Sequence, residues 1–156
     1  MIQRIQTVYL LIAEMLIGIL FFVPFGEITA KEGSIYLFDI KGIYLEGIQK
    51  PEIINNSLPL LIFILWAASL ILILATIFLF KNRLLQMRLS TINIFVLLGL
   101  GGLIFYYIYS TAKILSGVFS LTIYLVFPVI AAILVYLAIR AIGKDELLVR
   151  SIDRIR

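Results

Sequence analysis

The sequence of 156 residues contains no cysteine and no histidine. Without cysteine the chain has no disulfide, no thiolate metal site and no thiol nucleophile. Without histidine it has no imidazole ligand for haem or zinc and no serine–histidine proton relay. The two absences exclude several common cofactor sites and one common form of hydrolysis.

Charged residues are also scarce, at 14% of the chain, whereas hydrophobic residues make up 63% and the mean hydropathy is +1.14. Soluble domains are about 45–50% apolar. A single soluble domain of this length cannot bury so much apolar surface, because a small fold leaves much of its surface in water. The composition therefore predicts a membrane protein whose main solvent is lipid.

Four apolar segments are long enough to cross a bilayer, which takes ~20 helical residues at about 1.5 Å each. They cover about residues 5–25, 58–80, 91–109 and 118–139. Within hydrocarbon a backbone with open strand edges leaves polar groups unpaired, so these segments are predicted to be helices. The sequence predicts an all-α integral membrane protein, a bundle of four transmembrane helices in one membrane domain over 1–156.

The first segment has an alternative interpretation as a cleaved signal sequence. Its apolar run is longer than the roughly 7–15 residues of a signal peptide, and Ile28 fits poorly three residues before a cleavage site at Ala30. We therefore favour a retained first helix.

The basic residues predict the orientation of the chain in the membrane. The loop 81–90 carries three bases and no acid, and the tail 140–156 carries five more bases. With Arg4, this side of the membrane has nine Lys and Arg residues, against four on the other side. The positive-inside rule then puts both termini, the loop and the tail in the cytoplasm. The net charge of +4 is thus a signal of topology, and no nucleic-acid partner is expected.

The segment 26–57 is the one sizeable stretch predicted outside the membrane on the extracytoplasmic side. Residues 34–39 and 43–46 are rich in β-branched and aromatic side chains, and Lys41-Gly42 separates them. This pattern predicts a small β-hairpin between helices 1 and 2. Because a two-stranded hairpin alone is only marginally stable, it is expected to act as a lid on the helix ends or as a flap that binds a partner.

The cytoplasmic tail is predicted to form a short amphipathic helix. Leu148, Ile152 and Ile155 follow the helical period on one face. Three arginines flank this stripe: Arg150, Arg154 and Arg156. Such a helix is typical of an anchor on anionic lipid, and the alternative is a docking segment for a cytoplasmic partner.

Glu14 lies near the centre of the first predicted span. A carboxylate at that depth costs about 2.5–3.5 kcal/mol on insertion scales and rarely faces lipid. No Lys or Arg is expected at the same depth, and counting from the helix ends gives Ser69 and the region 99–102 as the nearest groups. We predict a protonated Glu14 that is hydrogen-bonded to a hydroxyl or a backbone carbonyl. Its role is either structural or the handling of a proton or cation.

Small residues indicate where helices approach each other closely. They are Gly99, Gly101, Gly102 and Ala68. They do not form a strict small-xxx-small motif, so we predict that they allow close helix packing within the chain.

No Ser, Asp, Glu or Lys residues occur at a recognisable catalytic spacing, and the sequence contains no Gly-rich phosphate loop and no acidic metal motif. We therefore expect a protein that is not an enzyme and that binds no cofactor.

The opening residues MIQRIQTVYLL and the closing residues KDELLVRSIDRIR carry a family resemblance. The chain resembles, over its whole length, the Bacteroidota family of small four-span membrane proteins known as domain-of-unknown-function family 4293. The resemblance implies a protein of the inner membrane of a Gram-negative bacterium, and it implies no activity.

The leading functional hypothesis is a small subunit, scaffold or assembly factor of an inner-membrane complex. Its expected partners are the lipid bilayer and other inner-membrane proteins or a second copy of the chain. The alternative is a small transporter or channel in which Glu14 is the proton or cation site. A lipid-modifying enzyme is the third and weakest hypothesis, because few polar groups are expected to converge near an interface.

Overall fold

The computed structural model describes residues 5–30, 33–46, 51–52, 58–79 and 82–153, with side chains described for all of these except 51–52 and 146–153. Within these residues the chain forms four α-helices: α1 (Ile5–Ile19), α2 (Leu58–Phe78), α3 (Arg83–Ile114) and α4 (Phe127–Asp153). It also forms five β-strands: β1 (Gly26–Thr29), β2 (Ile35–Asp39), β3 (Gly42–Leu45), β4 (Pro51–Glu52) and β5 (Val118–Leu121). A 3-10 helix over Ile123–Val126 precedes α4.

The helices pack side by side, with α1 against α4 and α2, and α3 against α2 and α4. On α1 the buried apolar residues Leu10, Ala13 and Ile17 recur every three or four positions, which is the spacing of one helix face. Leu97 and Leu100 continue the same pattern on α3. Each helix therefore directs one apolar face to the shared interior.

The five strands form one antiparallel sheet in the order β4-β3-β2-β1-β5. The hairpin predicted from the sequence is confirmed as the pair β2 and β3, with Asp39 opposite Gly42. The all-α class with a small hairpin is incomplete, however, because β1, β4 and β5 enlarge that hairpin to a sheet. Three or more strands with one covered face are stable where a single hairpin is not.

The turn between β2 and β3 is held by the side chain of Asp39. Its Oδ1 accepts hydrogen bonds from the backbone N–H of Lys41 at 2.6 Å and of Gly42 at 3.0 Å. Gly42 has a φ of 143°, which residues with a Cβ rarely adopt. Burial raises the pKa of the Asp39 carboxyl, whereas the two N–H groups and the charge of Lys41 oppose that rise.

The sheet lies on the end of the helices at which α1 and α3 finish, here called the sheet end. The ring of Phe38 meets the ring of Tyr107 on α3 edge to face, with 5.6 Å between the centroids. Ile28 and Ile43 are fully buried between the sheet and the helices. The opposite end, at which α2 is connected to α3, is called the loop end. The packing of the sheet favours the interpretation of the hairpin as a lid.

The fourth predicted span begins too early in the sequence. Val118–Leu121, assigned there to a helix, is strand β5 and pairs with β1. The helix α4 begins at Phe127, and Pro128 lies in its first turn, where no N–H is needed for a helical hydrogen bond. Apolar composition does not distinguish a short strand from the start of a helix, and the pairing with β1 decided the matter.

The other helix bounds also differ from the predicted ones. The helix α1 ends at Ile19, short of residue 25. The helix α3 has 32 residues instead of the predicted 91–109, so most of the predicted cytoplasmic loop 81–90 is helical. The tail that begins at Arg140 is a continuation of α4. The predicted spans were bounded by the ends of apolar segments. Polar residues such as those in 81–90 can also be helical, so α3 and α4 extend beyond those bounds.

Three segments of the described chain are helical, long and apolar enough to cross a membrane: Leu58–Phe78, Arg83–Ile114 and Ile123–Asp145. The fourth apolar helix, α1, is shorter, with 15 residues.

The end of α3 positions β5 beside β1. Ser116 has a φ of 48°, and the N–H of Gly117 donates to the carbonyl of Ala112 at 3.0 Å, as in a Schellman helix end. A Cβ on Gly117 would lie 2.6 Å from the carbonyl oxygen of Thr29 on β1. The close approach of the two backbones therefore requires glycine at this position.

We predict that Gly117→Ala lowers the free energy of unfolding by about 1–3 kcal/mol, because the added methyl group collides with the β1 backbone. Denaturant unfolding of the purified protein in detergent measures the change.

Gly102→Ala is the matched control, because a Cβ there meets no described atom within 4 Å. In a helix interior this change raises stability by up to about 1 kcal/mol. Equal effects of the two substitutions would contradict the close approach of β1 and the α3 end.

Candidate functional site

Polar side chains lie in the interior between the packed helices, in the half that is nearest the loop end. They form a group here called the polar core: Gln6, Glu14, Ser69, Thr76, Gln86, Ser90 and Asn93. Six of them are at most 3% exposed, and Glu14 is half-buried. A polar interior is unusual between apolar helices, because each buried polar group needs a hydrogen-bond partner to offset its desolvation.

Two hydrogen bonds between helices fix their relative heights. The indole N–H of Trp66 on α2 donates to the carbonyl of Ile17 on α1 at 2.8 Å. The amide Nε2 of Gln86 on α3 donates to the carbonyl of Thr76 on α2 at 3.0 Å. Positions on α1, α2 and α3 can therefore be compared by counting residues from these contacts at about 1.5 Å each.

Counting in this way brings three members of the polar core to one level. Glu14 and Ser69 each lie three residues toward the loop end from the contact of Ile17 with Trp66. Ser69 and Asn93 each lie seven residues toward the sheet end from the contact of Thr76 with Gln86. The remaining members continue from this level toward the loop end.

Some members of the polar core are satisfied by backbone carbonyls. The hydroxyl of Ser69 donates to the carbonyl of Trp66 at 2.7 Å, and the hydroxyl of Thr76 donates to the carbonyl of Leu72 at 2.7 Å. The Ser69 hydroxyl thus bonds within its own helix. The predicted partners of Glu14 included Ser69, and the two residues share a level without a hydrogen bond between them.

Other members have buried polar atoms without a hydrogen-bond partner among the described residues. These atoms are Glu14 Oε2, Gln86 Oε1, Ser90 Oγ, and both Nδ2 and Oδ1 of Asn93. Leaving a buried group unsatisfied costs about 1–3 kcal/mol. Asn93 is the most notable case, because it is 1% exposed and neither end of its amide is paired with a described residue.

The chemistry of the polar core is that of neutral donors and acceptors around one carboxyl group. Amide and hydroxyl groups with unused hydrogen-bonding capacity suit water or a proton-bearing group. The described residues include no cluster of three or more Asp or Glu that could hold a metal ion. Gln86 Oε1 and Ser90 Oγ, which have no partner in the described part of the chain, extend this capacity from Asn93 toward the loop end.

Gln86, Ser90 and Asn93 are members of the polar core that were not predicted from the sequence. Gln86 and Ser90 fell within the predicted cytoplasmic loop, which the structure shows to be helix. A usable signal was present, because positions 86, 90, 93 and 97 follow the helical period that the buried apolar residues of α3 continue.

The small residues predicted to pack between helices do not all do so. Gly99 and Gly102 are exposed, and a Cβ on either would meet no described atom within 4 Å, so the packing prediction is wrong for both. Gly101 does face a neighbour, since its Cβ would lie 3.7 Å from Pro128 of α4. Ala68 is half-buried on α2. The glycines lie on adjacent faces of one helix, so they cannot all point inward.

Trp66 connects the polar core to the sheet end. Its indole satisfies a carbonyl in the last turn of α1, where no helical N–H is available, and its ring stacks on Phe21 at 5.2 Å between centroids.

The side chains of the tail arginines Arg150, Arg154 and Arg156 lie outside the described residues.

The fold and the polar core together define a class, a protein of mostly apolar helices capped by a β-sheet, with a polar interior in one half. The comparison with family models gives a narrower assignment. The model of the domain of unknown function DUF4293 matches residues 2–155, and the chain belongs to that family. None of the curated proteins matches the chain.

We predict that Asn93→Leu raises the free energy of unfolding by about 1–3 kcal/mol, because it removes a buried amide that no described residue hydrogen-bonds and keeps a similar volume. Denaturant unfolding in detergent measures the change. A loss of stability would contradict the assignment, since it would mean that the amide is hydrogen-bonded.

Trp66→Phe is the control, because it removes an N–H donor that already has a hydrogen-bond partner. It keeps an aromatic ring beside Phe21 and removes the hydrogen bond to Ile17, so stability falls by about 0.5–1.5 kcal/mol.

Proposed function

We propose that this protein spans the bacterial inner membrane with four helices and acts as a non-enzymatic small subunit, scaffold or assembly factor of a membrane complex. The outward surface of the helices supports the membrane part of the proposal. Large apolar side chains are exposed on every helix, including Met15 at 67%, Ile71 at 65%, Phe95 at 70% and Ile133 at 55%. Such a surface is stable in lipid and aggregates in water.

The helix α1 spans about 22 Å, less than the ~30 Å of bilayer hydrocarbon. The apolar residues that follow it extend this length, and among them Phe22 is 82% exposed. The outward face of α1 itself is apolar, as Val8 and Ile12 show. These features support a fourth crossing that α1 and the following turn make together.

The distribution of charge supports the proposed orientation. Arg83, Arg88 and Arg140 lie in the helix portions nearest the loop end, while Lys41 and Lys113 lie at the sheet end. The positive-inside rule assigns the end richer in Arg and Lys to the cytoplasm. The sheet then lies on the extracytoplasmic side.

The observation that carries the role as a subunit is the edge of the sheet. Strand β5 is the last strand in the sheet of the described residues, and Val118 on it is 79% exposed. An edge strand has a row of N–H and C=O groups available for pairing, and adding a partner strand is a common mode of recognition. Packing on the helices holds this edge in a fixed position.

The topology is tested with single cysteines, which the cysteine-free sequence makes specific. We predict that a membrane-impermeant maleimide labels Glu27→Cys in intact cells with a permeabilised outer membrane, because β1 lies outside. Asn82→Cys at the loop end is labelled after cell disruption and not before. Labelling of both positions in intact cells, or of Asn82→Cys alone, would contradict the proposed topology.

The same design tests association in native membranes. Val118→Cys, carrying a photoactivated cross-linker, is expected to give one reproducible protein adduct that mass spectrometry identifies. Ile71→Cys, which faces outward in the middle of α2, is the control for random encounters. Equal adduct patterns from the two positions would overturn the role as a subunit.

The polar core favours a second candidate function, a small transporter or channel with Glu14 as its proton or cation site. Glu14 lies at the same height along the helices as Asn93. Both residues have buried polar atoms without a hydrogen-bond partner among the described residues. Ionisable groups inside a membrane commonly mark a path for protons or ions.

For this second candidate we predict proton flux in vesicles that contain the purified protein, reduced to the background leak in Glu14→Gln, because an amide does not ionise near neutral pH and cannot take up and release a proton as a carboxyl group does. A pH-sensitive dye inside the vesicles reports the flux. Glu27→Gln, which changes an exposed acid on the sheet, keeps the full rate. Flux that survives Glu14→Gln would exclude Glu14 as the site.

A further inference from the structure

A cleft opens between the start of α1 and the last part of the described α4 side chains. Its volume is about 650 Å³, within the usual range for small-molecule sites. Two basic residues of α4, Arg140 and Lys144, line it, and they lie one helical turn apart on the same face. The cleft therefore has two positive charges on one wall.

The wall that α1 forms supplies neutral polar groups, and α4 also supplies apolar surface. Gln6 and Tyr9 of α1 line the cleft, and Gln6 is 3% exposed. Leu137 adds an apolar contact one turn before Arg140. Among the side chains that the structure describes, Asp145 is the one acidic residue on the lining, beside the two basic ones.

We propose that this cleft binds the phosphate headgroup of an anionic phospholipid. Arg140 and Lys144 contact the phosphate, the amide of Gln6 and the hydroxyl of Tyr9 bond to the glycerol part, and the acyl chains leave along the apolar surface at Leu137. A guanidinium is suited to bidentate contact with phosphate, and an ammonium acts as a point charge.

The position of the cleft in the chain selects a lipid as the occupant. Arg140 follows directly on the apolar run of α4, at the depth at which the helix reaches headgroups. Basic pockets between helices on the cytoplasmic side are typical binding sites for anionic headgroups. The inference rests on the proposed membrane insertion and orientation, since both are needed to bring the cleft to the inner leaflet.

The experiment compares lipid binding by the purified protein in detergent, with native mass spectrometry as the readout. Phosphatidylglycerol is expected to remain bound at collision energies that remove phosphatidylcholine. In Arg140→Gln/Lys144→Gln the affinity for phosphatidylglycerol falls about tenfold or more, because both positive charges that contact the phosphate are lost.

Arg88→Gln is the matched control, because Arg88 is an exposed base of α3 that does not line the cleft. It is expected to leave the affinity within about twofold of the original value. An equal loss in the control would mean that net charge alone attracts the lipid, and it would overturn the site.

Two further measurements test the charge of the cleft and the identity of its occupant. The charge-preserving variant Arg140→Lys/Lys144→Arg retains most of the binding, because both positive charges stay on the wall of the cleft, and a loss of binding equal to that of the Gln variant would overturn the site. Inorganic phosphate at millimolar concentration does not displace phosphatidylglycerol if the acyl chains contribute. Displacement by phosphate alone would overturn the lipid as the occupant.

Failure of this inference is distinguishable from failure of the proposed function. Equal retention of the two lipids by a protein whose cysteine labelling shows the expected topology would reject the cleft and leave the membrane proposal standing. Reversed labelling would reject the orientation on which the cleft depends.

Discussion

The antiparallel pairing of β1 with β5 is the interaction on which the rest of the structure depends. It joins the strand that follows α1 to the short connection between α3 and α4, so the sheet is connected to three helices at once. Gly117 permits this pairing, because its backbone lies against the carbonyl of Thr29 where no side chain fits. Once the pair has formed, Phe38 and Tyr107 are brought face to edge, and the sheet and the helices share one core.

The two halves of the helix interior differ in how polar groups are satisfied. Toward the sheet end the contact of Trp66 with Ile17 satisfies a carbonyl that the helix leaves open. Toward the loop end Asn93 and Ser90 retain buried atoms that no described residue pairs. In apolar surroundings such groups cost free energy, which the apolar core of the sheet end offsets. Because these buried polar groups lower stability, the half of the interior toward the loop end is the candidate functional site.

Sequence reasoning succeeded where a local pattern has one structural solution. Residues 58–78 form a helix because so long an apolar run satisfies its backbone within itself. The β2 and β3 hairpin follows from two runs of β-branched and aromatic residues on either side of Lys41-Gly42. Sequence reasoning failed at β5, whose four residues are as apolar as a helix start and form a strand because β1 is available to pair with them. Gln86 and Ser90 of the polar core were missed for a related reason, since they resemble residues of a loop until the helix that contains them is known.

The apolar helices, the hairpin, the charge asymmetry and the acid in the first apolar segment are all predictable without a structure, because each depends on composition or on neighbours along the chain. The relative heights of the helices, and with them the common level of Glu14, Ser69 and Asn93, follow only from contacts between the helices. These contacts also leave Gly99 and Gly102 facing outward and bring Arg140 to the same cleft as Gln6. The physical reason is the same in each case: the rotation and height of a helix are fixed by its contacts with distant segments, and no local pattern encodes them.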